Sequence, residues 1–443
     1  MDLTKGPLVS GIITYTVPII LTGILQLLFN AADLVVVGNF CGGVSVAAVG
    51  ATSSLTNLFV NIFLGLSIGA GVAVAHALGE NDGDEVHRLV HTAIPLALVG
   101  GIIVTVLGIM FSEKFLIIMG TPENVLKLSA VYMRIYFGGM IFNMLYNYCA
   151  SILRAAGDTK SPLYFLMISG VVNVALNIVF VTVFHMDVAG VALATTVSQA
   201  ISAVLVIITL IKRKDECRFI PRKMHFYGYE LSKILRIGIP AGIQSSVFSI
   251  SNVIIQSSIN SFGDVFMSGN AAAASIEGFA YTTINAFHQT TVNYVGQNTG
   301  ARNYKRVKKT VIACIVCVAT VGTLLGILLC VLGRPLLGIY INDSAQAIDY
   351  GMIRFIYLGL PYMFCGLMEV SSGALRGMGR SFVSMMTAIV GVCGIRITWI
   401  YTIFAIYNTP QSLYISYPIS WAVTFIAQII VFFAVFKKME KEN

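Results

Sequence analysis

Residues 12–37 read IITYTVPIILTGILQLLFNAADLVVV. One side chain in that stretch, Asp33, carries a charge. A helix of this length runs about 39 Å at 1.5 Å per residue, more than the roughly 30 Å of hydrocarbon in a bilayer. The pattern recurs along the chain, at approximately 46–78, 92–111, 129–152, 162–184, 188–211, 234–261, 268–296, 310–332, 350–374, 383–405 and 412–436. Across all 443 residues 57% are hydrophobic and 11% charged, with mean hydropathy +0.84, whereas a globular domain carries roughly 25% charged residues. Those figures exclude a cytosolic enzyme, a nucleic-acid binder and a disordered chain. They predict an all-α integral membrane protein of twelve transmembrane helices.

The net charge of +8 has a membrane reading, because Lys and Arg collect in cytoplasmic loops. With the N-terminus inside, 22 of the 28 basic residues fall on the cytoplasmic side. Lys114, Lys127 and Arg334 fall outside, and Arg134, Arg354 and Arg396 fall in spans. The split predicts a multi-pass cell-membrane protein with both termini cytoplasmic. The polar stretch Lys212–Lys233 with Pro221 divides the spans six and six, giving expected domains 1–220 and 221–443. The eight cysteines lie mostly in apolar runs, and Cys314 and Cys317 form a lone CxxC inside a span, so they read as small apolar packing residues.

The two halves repeat. Pro18 matches Pro240 and Asn30 matches Asn252. Gly79-Glu80-Asn81-Asp82-Gly83 matches Gly296-Gln297-Asn298-Thr299-Gly300, and Leu153-Arg154-Ala155-Ala156-Gly157 matches Leu375-Arg376-Gly377-Met378-Gly379. Six spans per half make the repeats parallel, so the expected architecture is two pseudo-symmetric six-helix bundles around a central cavity. In transporters of that build the substrate lies between the repeats. Duplication therefore points to a carrier, more than to a channel or an intramembrane enzyme.

Three acids fall within spans, and each is expected to face protein or water, since a lipid-facing carboxylate at a helix centre costs about 2.5–3.5 kcal/mol. Gln26, Asn30 and Asp33 share one face of the first span. Asn173 and Asn177 lie one turn apart in the fifth, and Thr195, Thr196 and Gln199 lie in the sixth. A carboxylate, two amides and a hydroxyl suit Na⁺, and a desolvated Asp33 alone suits H⁺. Glu277 and Tyr281 share a stripe of the eighth span, faced by Asn252 and Gln256 of the seventh. These residues, with Gln26 and Asn30 of the first span, are expected to line the substrate cavity, with Tyr281 available to a cation through its ring. Glu369 precedes Arg376 by seven residues on one helical face and is expected to form an ion pair or an inner gate with it. Arg134 and Arg354 are expected to snorkel outward. Arg396 is either the mate of an interior acid or a snorkelling group. Gly65 and Gly69 form a GxxxG that signals close packing. No nucleotide-binding loop occurs, the six histidines do not cluster, and no nucleophile has a base beside it.

Asn30-Ala31-Ala32-Asp33 with Val37-Gly38, Gly296-Gln297-Asn298-Thr299-Gly300-Ala301 and Leu375-Arg376-Gly377-Met378-Gly379 resemble the multidrug and toxic compound extrusion (MATE) family. The resemblance covers essentially the whole chain. It implies two lobes around a V-shaped cavity and export of varied, often cationic, organic compounds driven by inward H⁺ or Na⁺. No cofactor is implied beyond that ion and no partner beyond substrate and lipid; the chain is expected to act as a monomer. The family's cation site carries over to Asp33, Asn173 and Thr195. One family version has Asp one turn after the fifth-helix Asn, where this chain has Asn177. The seventh-helix acid of some relatives is replaced by Phe248 and Ser249. A lipid-linked saccharide flippase is the alternative reading, disfavoured by the interior acids.

Overall fold

The computed structural model describes residues 1–341 and 344–441, apart from the side chains of residues 53–55, 57 and 58. Among these residues there is no strand. The chain forms α1 (Leu8–Phe40), α2 (Gly43–Glu80), α3 (Gly83–Ile118), α4 (Glu123–Gly138 and Met140–Ala155), α5 (Lys160–Val183) and α6 (Asp187–Lys212). It continues with α7 (Gly228–Asn260), α8 (Asp264–Gly300), α9 (Tyr304–Tyr340), α10 (Ala345–Gly359 and Tyr362–Gly377), α11 (Ser381–Tyr407) and α12 (Pro410–Lys441). Each of the twelve predicted spans has a helix, and among the described residues nine of these, or eleven with each bent pair counted as one, are long and apolar enough to cross a membrane. α4 bends by 44° around Gly139, and α10 by 46° before Tyr362, where Pro361 removes a backbone donor. α8 is the polar member of the set, its inner face carrying Asn270, Glu277, His288, Asn293 and Asn298 out of water.

The repeat is written in the backbone as well as in the sequence. Gly42 and Gly263 precede α2 and α8 with the same φ of 90°, a conformation open to glycine alone. Asn81 (φ 56°) and Arg302 (φ 54°) turn the chain out of those helices. Asp82 and Asn303 then cap α3 and α9, accepting from Glu85 N and Arg306 N.

Two compact units emerge. One comprises Met1–Asp2 with Leu21–Gly242, the other Leu3–Ile20 with Ile243–Asn443. The changeovers lie two residues beyond Pro18 and Pro240, inside α1 and α7, rather than at the 220/221 linker. In the second unit, Ile12, Tyr15 and Ile19 of α1 join the core built on α8 and α10. Tyr15 meets Tyr294 edge-on at 5.5 Å, and Thr16 shares a hydrogen bond with Thr290 (2.8 Å). The Gln297-Asn298 motif anchors the segment ahead of α1: Leu3 N donates to Gln297 Oε1 (3.1 Å), and Asn298 Nδ2 donates to Leu3 O (3.1 Å).

In the first unit, the early half of α7 lies against α2 and α3. Arg88 and Lys233 pair with Glu230 and Glu85. The linker docks here too, since His91 Nε2 accepts from Ile220 N (3.0 Å) while its Nδ1 meets His87 O (2.7 Å). At the far end of this docked segment a hydrogen bond from Arg213 holds the Asp215 carboxyl below the usual carboxylate range. The GxxxG of α2 provides the close approach: a Cβ on Gly69 would come within 2.4 Å of Ile234 O, and one on Gly65 within 2.1 Å of Gly242 N. Gly69→Leu is therefore expected to lower the detergent melting temperature, by the 1–3 kcal/mol or more typical of overpacking. Gly50→Ala on the same helix, where a Cβ meets nothing within 4 Å, should melt at or slightly above the parent, which isolates packing from helix propensity.

Candidate functional site

The polar residues of the first unit converge from three helices. Asp33 on α1, Asn173 and Asn177 on α5, and Thr195 on α6 form one hydrogen-bonded group. Asn177 Nδ2 reaches Asp33 Oδ1 at 2.5 Å and Asn173 Oδ1 at 3.3 Å; Thr195 Oγ1 reaches Asp33 Oδ2 at 3.3 Å and receives Asn173 Nδ2 at 3.4 Å. Asp33, Asn173 and Asn177 are all buried. α5 widens into a π-type turn at Val179–Val183, directly after Asn177, the kind of turn that recurs at functional sites. Tyr132 and Tyr136 of α4 lie within electrostatic reach of Asp33.

Two features give this group chemistry beyond mutual satisfaction. Asn177 Oδ1 is buried with no hydrogen-bond partner, although buried polar atoms are nearly always paired. Thr195 also has one proton for two acceptors, Asp33 Oδ2 and Val191 O (3.0 Å). Turned to Val191, the hydroxyl presents a lone pair toward Asp33. The group can then offer only oxygens (carboxylate, hydroxyl and amide), the donor set of a hard cation.

The second unit holds a different set of interior charges. Arg354 of α10 grips Glu277 Oε2 of α8 with Nε (3.0 Å) and Nη2 (2.7 Å), while its Nη1 donates to Asn270 Oδ1 (2.7 Å). The Tyr414 hydroxyl joins Asn270 at 2.8 Å. Arg354 thus does not snorkel: its side chain is 11% exposed, because Glu277 offers an interior counter-charge. Arg134, by contrast, pairs with Glu113 where both side chains are about half exposed.

Glu369 and Arg376 do not form the direct pair their spacing suggests. Seven residues separate them by about 10 Å along a helix, and His288 of α8 fills the gap. Its Nδ1 lies 2.7 Å from Glu369 O and 3.3 Å from Glu369 Oε2, while Nε2 faces Arg376 Nη1 at 3.3 Å. Nδ1–H donating to the carbonyl and Nε2 accepting from the guanidinium make this a neutral imidazole, a tautomer assigned from the hydrogen bonds. Arg376 also donates to Gln244 Oε1 (2.8 Å), and Tyr281 OH reaches Glu369 Oε1 (3.5 Å). The remaining positions, Gln26, Asn30, Asn252 and Gln256, are exposed, and Gln256 donates to Asn260 (2.8 Å). Sequence spacing missed His288 and the Arg354 pairing because both join helices distant in the chain. The only signal was that a charge inside a span needs a mate.

The MatE family profile matches the chain twice, at residues 18–179 and 240–402, one match per repeat. The chain is 29% identical over 378 residues to the probable multidrug resistance protein YpnP of Bacillus subtilis, covering 85% of this chain and 84% of that one. It is 23% identical to the probable multidrug resistance protein NorM of Thermotoga maritima (86% and 82% covered) and 20% identical to the multidrug export protein MepA of Staphylococcus aureus (87% and 86%). Among solved structures it matches, with a TM-score of 0.92 and 20% identity, a MATE in complex with MaL6, covering 99% of both chains. The outward-facing conformation of a multidrug resistance MATE family transporter of the MOP superfamily matches with the same score and identity, covering 99% and 98%. The twofold profile match across two helical repeats shows that the chain belongs to the MatE family of multidrug efflux transporters.

Proposed function

We propose that this chain is a cation-coupled antiporter that exports small, often cationic, organic compounds by alternating access, with H⁺ or Na⁺ exchanged at Asp33, Asn173, Asn177 and Thr195. The observation that carries the reading is the unpartnered Asn177 Oδ1 beside a buried carboxylate. An open oxygen beside a carboxylate is available to a transient ligand. Gln26, Asn30, Asn252, Gln256 and Tyr281 are the groups we assign to substrate, being polar side chains left accessible. Glu277 and Glu369, engaged by Arg354 and His288, we assign to internal charge balance. Both termini are placed on the cytoplasmic side, on the weight of the basic loops, and one chain suffices as the working unit.

Purified protein in liposomes, loaded with ethidium and given an inward H⁺ gradient or an inward Na⁺ gradient separately, tests this. Ethidium is itself a monocation, so one-for-one exchange moves no net charge and the ion's concentration ratio is the drive. A tenfold inward gradient supplies about 1.4 kcal/mol, enough for a roughly tenfold ethidium ratio. One of the two gradients should drive ethidium against its own gradient to that order. Efflux indifferent to both would overturn the coupling.

A further inference from the structure

The segment ahead of α7 is fastened to α3 through its backbone. Ile220 N donates to His91 Nε2 (3.0 Å), His225 N to His91 O (3.4 Å) and Tyr227 N to Thr92 Oγ1 (3.3 Å). Phe219 is buried there, its ring 5.3 Å from that of His91. A single 3₁₀ turn, Pro221–Lys223, then leaves the following side chains outside. Arg222 is exposed, and Met224, Phe226 and Tyr229 are 42%, 43% and 67% exposed. From Tyr229 to Ile239 the exposed positions of α7 are Tyr229, Ser232, Arg236 and Ile239, which fall on one helical stripe. Among the described residues neither Arg222 nor Arg236 has a carboxylate within 4.0 Å. Lys223 differs, since it shares a cleft with the acids Glu80, Asp82, Asp84, Asp215 and Glu216.

Two marks set the depth of this surface in the bilayer. His91 and Thr92, which hold the segment, stand where the apolar run 92–111 of α3 begins. On α7 the stripe passes from Ile239, in the apolar run 234–261, to Arg236 one turn away and Tyr229 roughly 10 Å beyond it. Unpaired guanidiniums, aromatic rings and a methionine at that level have the composition of a segment lying in a membrane interface. We infer that Arg222, Phe226, Tyr229 and Arg236 form a docking surface for the anionic phosphodiester headgroups of the inner leaflet. Each guanidinium can take two phosphate oxygens at once, and the rings sit against the upper acyl chains. Each basic side chain at such a surface favours an anionic headgroup about fivefold. Because the segment runs straight into α7, a bound headgroup stabilises its docked form. The inference goes beyond the efflux reading and rests on it only for the choice of leaflet, which is immaterial in symmetric vesicles.

Trp399 and Trp421 are the two tryptophans of the chain, so Trp399→Phe and Trp421→Phe with Phe226→Trp leave one indole, on the proposed surface. In phosphatidylcholine vesicles containing that chain, phosphatidylglycerol with brominated acyl chains should quench the indole at about one-fifth the mole fraction that brominated phosphatidylcholine requires. Adding Arg222→Gln and Arg236→Gln should make the two lipids quench equally. Equal quenching before those substitutions overturns the inference, as does a preference that survives them. Absence of quenching by either lipid also overturns it, since the face would then lie in water and be open to a soluble partner. A second readout keeps the native tryptophans. Moving the parent from phosphatidylcholine nanodiscs to equal parts phosphatidylcholine and phosphatidylglycerol should raise its melting temperature, and Arg222→Gln with Arg236→Gln should lose at least half of that rise. A smaller loss, or no rise in the parent, overturns the inference. Failure of ethidium efflux would strike the antiport reading alone and leave both lipid measurements standing.

Discussion

Asp33→Asn should abolish gradient-driven efflux, bringing ethidium export from liposomes down to the rate without a gradient, while the protein is made and melts as the parent does. Asn conserves the volume, and its amide can keep a hydrogen bond with Asn177, whose Nδ2 now reaches Asp33 Oδ1 at 2.5 Å. The substitution removes the only formal charge of the group, which neither a bound Na⁺ nor a carried H⁺ can do without. An ion that no longer distinguishes two conformations cannot shift them, and the roughly tenfold ethidium ratio available from a tenfold ion gradient then goes unused. Thr195→Ala removes one neutral ligand and should cost about 1 kcal/mol of ion binding, near fivefold in the ion concentration needed for half-maximal efflux. Equal losses in the two variants would mean that the network holds the helices together and the ion goes elsewhere. Full efflux in Asp33→Asn would remove Asp33 from the mechanism.

The parts of this molecule that could be read in its sequence are those set by chemistry local to one helix. An uninterrupted apolar run such as 12–37 has few fates, and the glycines before α2 and α8 and the caps after them repeat because both copies need the same tight turns. Gln26, Asn30 and Asp33 share a face by periodicity alone, yet only Asp33 is drawn inward, the other two being exposed. Grouping Asp33 with Asn173, Asn177 and Thr195 took the family resemblance as well as polarity, because spacing cannot tell which of α5 and α6 adjoins α1.

Contacts between distant helices were illegible for the same reason. Glu369 and Arg376 share a face, as the spacing predicts, but helical periodicity contains nothing of His288, which approaches from α8 and divides them. The changeover of α1 and α7 between compact units at Pro18 and Pro240 was equally hidden. Proline marks where a helix can bend, not which bundle will claim each arm.

Arg354 shows what such hidden pairing is worth. Glu277→Gln should melt far below the parent, because it strips the counter-charge from a guanidinium whose side chain is 11% exposed. Breaking a buried pair from one side costs about 3–5 kcal/mol, since the remaining charge stays buried. Here the cost falls in a unit that already carries Arg396 within reach of Arg354. Replacing both residues, Glu277→Met with Arg354→Met, should recover most of the loss, as apolar side chains of similar volume often replace buried pairs at little cost. Asn270 Oδ1 would keep its hydrogen bond from Tyr414 in the double variant. Melting curves of both singles and the double in one detergent give the coupling directly. A double variant as unstable as Glu277→Gln would show that packing, and not charge, joins α8 to α10 there. If Glu277→Gln melted normally but stopped ethidium efflux, the carboxylate would belong to substrate recognition, and Arg354 would be the residue that releases it.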